Sequence, residues 1–124
     1  MRLTACVTVQ GSCTIVALGG YIDVSTRKQL RDVLAAAAKG TSHLVIDMSR
    51  LGFMDSTGLS VLVEVYRRLN GRGGTLALAA PQPIVAKVLQ ISGLDQVLTV
   101  HANLTQALAR SAGEGEPAAP ATES

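Results

Sequence analysis

Leu44-Val45-Ile46 is an unbroken apolar run, so a strand formed there must be covered on both faces. Shortly after it, from Thr57 to Asn70, Leu59, Leu62, Val63, Tyr66 and Leu69 recur at helical spacing, with Ser60, Glu64, Arg67 and Arg68 on the other side. A doubly covered strand beside a one-sided helix is the building unit of a layered α/β fold. Hydrophobic residues make up 48% of the chain but aromatics only 2%, so Val, Leu, Ile and Ala must fill those layers.

The remaining elements follow from the same patterning. Residues 3–9 and 13–18 are rich in β-branched and apolar residues around Gln10-Gly11-Ser12, which predicts an opening hairpin, with Gly19-Gly20 breaking its second strand. Ser25 or Thr26 can cap a helix carrying Leu30, Val33, Leu34 and Ala37, and Gly40 ends it. The helix from Thr57 stops at Gly71, Gly73 and Gly74. Thr75 to Ala79 is a strand, Pro83 opens a helix to about Ile91, Val97 to Val100 is a short last strand, and Asn103 caps a helix to about Arg110. The order predicts one α/β domain: a mixed, mostly parallel sheet opened by a β-hairpin, with about four helices.

A chain of 124 residues suffices for one such domain, assigned to residues 1–111. Residues 112–124 are Ala, Gly, Pro, Glu, Thr and Ser, a composition that predicts a disordered tail. No apolar run nears the roughly 20 residues that span a bilayer, and Met1-Arg2-Leu3-Thr4 does not open a signal peptide, so a cytoplasmic protein without membrane contact is expected. Cys6 and Cys13 fall on successive strands. A turn near Gly11 sets Cys6 opposite Val16, and both thiols read as small buried or half-buried hydrophobes. Eleven basic and six acidic side chains leave residues 1–111 at +5, but the bases are scattered and stacking aromatics are scarce, which argues against nucleic-acid binding.

The chemistry concentrates between strand and helix, in Asp47-Met48-Ser49-Arg50-Leu51-Gly52-Phe53-Met54-Asp55-Ser56-Thr57-Gly58-Leu59. Asp55, Ser56 and Thr57 offer consecutive oxygen acceptors to the first turn, and capping alone explains them. The same position also suits a switch. A solvent-facing serine at a helix N-terminus can take a phosphate without loss of the fold, and the added charge, about −1.5 to −2, acts on a partner instead. Asp23 ends the strand that a parallel sheet sets beside this one. It either caps the helix near Ser25 or orients Ser56 toward a phosphoryl donor or a basic partner.

Phe53-Met54-Asp55-Ser56-Thr57-Gly58-Leu59, with Gly20 through Asp23, Gly73-Gly74 and Ile91-Ser92-Gly93-Leu94 in order over about residues 3–110, resembles the bacterial anti-sigma-factor antagonists of the STAS family. The resemblance implies a STAS domain that switches partners. In its unphosphorylated form it binds an anti-sigma factor that is also a serine kinase, and so releases a sigma factor. That kinase phosphorylates the antagonist with ATP, and a serine phosphatase restores it. By position the acceptor is Ser56, with Thr57 second, and Asp23, Asp55 and Gly58 complete the partner-binding site. Tyr21 departs from the pattern, which commonly has an acidic residue there.

Two rival functions compete. Met54-Asp55-Ser56-Thr57-Gly58 half resembles a nucleophile elbow, with Asp95 and His101 following in chain order, but Met54 replaces the first glycine and no oxyanion segment is present. The other rival is a non-catalytic STAS-like scaffold, for example in a lipid-transport or stress-signalling complex, without a phosphorylation cycle. No enzyme activity, metal or cofactor is expected, because His43 and His101 stand alone and Gly71-Arg72-Gly73-Gly74 lacks the phosphate-loop lysine.

Overall fold

The computed structural model describes residues 2–112. Its elements run β1 (Leu3–Gln10), β2 (Cys13–Ile22), α1 (Arg27–Lys39), β3 (His43–Met54), α2 (Ser56–Asn70), β4 (Thr75–Ala79), α3 (Pro83–Ser92), β5 (Thr99–His101) and α4 (Leu104–Ala112). The strands form one sheet in sequence order, with β1 antiparallel to β2 and every other neighbour parallel. This is the mixed, mostly parallel sheet with an opening hairpin that the alternation predicts.

Each parallel crossover moves one strand in the same direction, and right-handed connections then lay α1, α2 and α3 on a single face. There Leu30, Leu34, Leu62, Leu69, Val85 and Leu89 pack with Val16, Leu18, Leu44, Ile46 and Leu78 in the main core. On the other face α4 sets Ala107, with Leu104 and Leu108 beside it, on Ile15, Val45, Ala77 and Ala79. Val45 and Ile46 therefore point to opposite faces and both are fully buried, which is why that run carries no polar residue.

Several expectations needed correction. Gly19-Gly20 does not end the second strand; β2 continues to Ile22 through register shifts at Ala17/Gly19 and Gly20/Tyr21. Gly20 takes φ +92, and a Cβ there would stand 2.1 Å from the Arg2 carbonyl oxygen, so glycine permits a bend that other residues could not make. Because β2 continues, β3 finds a partner as far as Met54, well into the segment expected to join strand and helix. β4 pairs with β3 only up to Asp47↔Ala79, so the last parts of β2 and β3 continue as a two-stranded ribbon, with Ile22, Leu51 and Met54 still in the main core. At the far side the short strand is Thr99–His101, preceded by a 3-10 turn at Leu94–Gln96 that leaves Val97 exposed.

The two-residue turn at Gly11-Ser12 sets Cys6 opposite Ala17, one place from the expected Val16. Cys13 is buried, but Cys6 is exposed, because α4 packs across β2 to β5 and leaves β1 uncovered. α4 extends through Ala112, and the remainder of the expected 112–124 tail lies outside the described residues. No helix among the described residues is long and apolar enough to cross a membrane.

Ala80 follows β4 in the left-handed region at φ +56, immediately before Pro81. Its Cβ crowds the backbone there. Ala80→Gly is expected to raise the unfolding free energy by about 0.5–1 kcal/mol, read as a higher urea midpoint with an unchanged slope.

Candidate functional site

The two-stranded end of β2 and β3 delivers the motif. Tyr21 pairs with Phe53 and Ile22 with Met54, so Asp23 and Asp55 leave adjacent strand ends. The Asp55 backbone N–H donates to the Ile22 carbonyl at 3.2 Å, which ties the start of α2 to the end of β2. From its extended backbone Asp55 then caps the helix. Its carboxylate accepts from the Thr57 N–H at 2.9 Å, and its carbonyl accepts from the Gly58 N–H at 3.1 Å.

Ser56 is the first helical residue and is exposed, one position earlier than the helix start expected at Thr57. Its carbonyl accepts from the Ser60 hydroxyl at 3.2 Å, whereas its own hydroxyl is engaged by no other described residue. Thr57 is half-buried. Gly58 is buried against the strand ends: a Cβ there would come within 2.6 Å of Met54 Cγ and 2.9 Å of Ile22 Cγ2. The capping role belongs to Asp55 alone, so the Ser56 hydroxyl is left for other chemistry.

Asp23 lies beside this corner but turns its carboxylate onto its own loop. Oδ1 accepts from the Ser25 N–H at 3.0 Å and from the Ser25 hydroxyl at 2.6 Å. These bonds hold the carboxyl below its ordinary value, the Ser25 hydroxyl chief among them and partial burial opposing. Thr26, the N-cap residue of α1, makes no side-chain cap; its buried hydroxyl donates to the Tyr21 carbonyl and accepts from the Asp23 N–H. The loop is therefore bound to the strand end, and the Asp23 carboxylate is engaged by Ser25 and makes no hydrogen bond to Ser56.

Two features near these strand ends were not read from the sequence. Tyr21 and Phe53 bring two of the chain's three aromatic rings together with centroids 6.4 Å apart, Tyr21 being exposed. Beyond Ser56, a groove of about 520 Å³ is lined by Ser56, Leu59, Ser60, Val63, Ser92 and Leu94. Leu59 and Val63 looked like core by their spacing, but the deepest side of α2 is Val61, Leu62, Val65 and Leu69. The apolar stripe is wider than the core it covers, and its margin forms the groove wall. No group of three metal-ligating side chains exists among the described residues.

A model of the STAS domain family matches residues 5–107. The chain belongs to the STAS family. Among relatives of this STAS chain, the anti-sigma F factor antagonist of Paenibacillus polymyxa is 33% identical over 96 residues, covering 76% of this chain and 82% of that protein. The solved anti-sigma factor antagonist of Mycobacterium paratuberculosis superposes with a TM-score of 0.84 at 27% identity, over 90% of this chain and 95% of that one. The unphosphorylated form of the anti-sigma factor antagonist SpoIIAA gives a TM-score of 0.76 at 26% identity, over 89% and 97%. A phosphorylated form of Bacillus SpoIIAA gives 0.67 at 26% identity, over 86% and 98%.

Two outcomes test this STAS site. Gly58→Ala is expected to cost about 1–3 kcal/mol, since the Ile22 methyl cannot move aside as the end of Met54 can; urea unfolding reads it. Ser25→Ala is expected to raise the Asp23 titration midpoint toward the ordinary carboxylate value, followed through the carboxyl carbon by NMR. Because the folded value is the lower one, Asp23 contributes stability that is complete above the ordinary carboxylate range and lost as pH falls through the folded midpoint. Ser25→Ala removes the largest part of that contribution.

Proposed function

We propose that this STAS domain is an anti-sigma factor antagonist whose binding is switched by phosphorylation of Ser56. The observation that carries the reading is the exposed, unengaged hydroxyl of Ser56 at the first position of α2, with the cap supplied by Asp55. A phosphoryl donor can reach that oxygen without disturbing a bond the helix needs. The phosphate then adds about −1.5 to −2 charges beside the carboxylates of Asp23 and Asp55 and at the mouth of the Leu59–Val63 groove. A partner seated on a neutral hydroxyl and an apolar groove must desolvate that charge or leave. The likeness to anti-sigma factor antagonists, one of them solved in phosphorylated and unphosphorylated forms, supports the reading.

In this reading the partner is an anti-sigma factor that is also a serine kinase using ATP, and a serine phosphatase returns the protein to its binding form. Asp23, Asp55, Thr57 and Gly58 shape the contact around Ser56. The work proceeds in the cytoplasm, where ATP is available.

The test is incubation with ATP and the cognate anti-sigma kinase, with the modified residue read by mass spectrometry. Modification at Ser56 is expected, and none in Ser56→Ala. By calorimetric titration, Ser56→Ala should bind as the parent does, while Ser56→Asp should bind at least about tenfold more weakly, roughly 1.4 kcal/mol. Equal affinity of the two variants would mean that charge at this position is not the switch. Binding without modification by the cognate kinase would point to a STAS scaffold that has no phosphorylation cycle.

A further inference from the structure

β1 is the outer strand of the sheet and pairs with β2 alone. Outer strands in monomers are guarded by a charge, a proline, a bulge or a covering element, since open N–H and C=O groups invite another strand. Leu3-Thr4-Ala5-Cys6-Val7-Thr8-Val9-Gln10 contains no charged residue and no proline, and its register with β2 is unbroken from Leu3↔Gly20 to Gln10↔Cys13. All but Leu3 are exposed, with Val7 at 49% and Val9 at 74%.

Backbone parity says which groups are open. A two-residue turn makes Gln10·Cys13 a hydrogen-bonded pair, so even-numbered residues of β1 bond to β2 and odd-numbered ones point outward. Two observed bonds agree. The Tyr21 N–H donates to the Arg2 carbonyl on the β2 side, and the Gln29 side chain reaches the Leu3 carbonyl at 2.8 Å. Gln29 thus closes the edge at Leu3, and Ala5, Val7 and Val9 remain with both backbone groups unpaired by β2.

We propose that this edge pairs with the same edge of a second copy, antiparallel, about a twofold axis through Val7. Val7 then opposes the partner's Val7, Ala5 opposes the partner's Val9, and Val9 the partner's Ala5. Each of these pairs can exchange both its bonds, so the open groups of one copy match those of the other. Such an axis stands perpendicular to the sheet and keeps odd residues against odd, as the pleat requires. Val7 and Val9, on the face that also carries Val16 and Leu18, gain apolar neighbours there. On the opposite face Cys6 meets Thr8 of the partner subunit and Thr4 meets Gln10 of the partner subunit, with no charge to desolvate. The chain's own residues 113–124 are a poorer occupant, because Pro117 and Pro120 carry no N–H and Glu114, Glu116 and Glu123 bring charge. The two sheets become one, and the antiparallel axis points the two Ser56 corners to opposite ends.

Sedimentation of the full chain tests this. The parent is expected at dimer mass at roughly 100 μM, dissociating on dilution. Val7→Lys sets two ammonium groups against each other on the axis and should weaken association at least about tenfold, whereas Val7→Thr should keep it. Far-UV circular dichroism checks that both variants are folded; if Val7→Lys is not, Val9→Lys, at a more exposed position, takes its place. A parent that stays monomeric at that concentration, or a folded lysine variant that associates as strongly as the parent, would overturn the proposal.

Discussion

The corner where β2, β3 and α2 meet holds the domain's chemistry in place. Its decisive element is the close approach of Gly58 to Met54 and Ile22, joined to the bond from the Asp55 N–H to the Ile22 carbonyl. Any side chain at position 58 would push the first turn of α2 away from the strand ends. The cap at Asp55 would tilt with it, and Ser56 would no longer present its hydroxyl beside the groove. A buried glycine is thus the condition for an exposed serine two residues earlier.

Under the proposed function, that corner also separates stability from switching. Asp55 satisfies the first-turn donor, Thr26 ties the neighbouring loop to Tyr21, and the large aliphatic residues of α1 to α3 form the core behind them. None of these depends on the Ser56 hydroxyl. A change of charge at Ser56 is therefore felt by whatever docks on the surface and hardly by the fold, which is the property a partner-selecting device requires.

The two ends of the sheet's neighbour order are treated differently. β5 is short, and α4 packs against it, while β1 is long, neutral and exposed beyond Leu3. The consequence is a domain with an exposed polar corner at the strand ends and a separate backbone edge along β1.

Much of this was legible in the chain itself. The unbroken run at Leu44-Val45-Ile46, the period of the α2 stripe, and the glycines after α1 and α2 determined the order of elements, because burial on two faces or one leaves a periodic mark. Asp55-Ser56-Thr57-Gly58 marked the candidate site, since such oxygens cluster where helix N–H groups lack partners. Only the tertiary structure decided how far β2 and β3 run, because strand ends depend on a partner's register, and a glycine that stops one strand merely bends another. It likewise decided that Leu59 and Val63 wall a groove, that Tyr21 meets Phe53, that Asp23 turns to Ser25, and that Cys6 is exposed. Those outcomes depend on which surfaces a distant element reaches, and spacing along the chain records a face without saying what covers it.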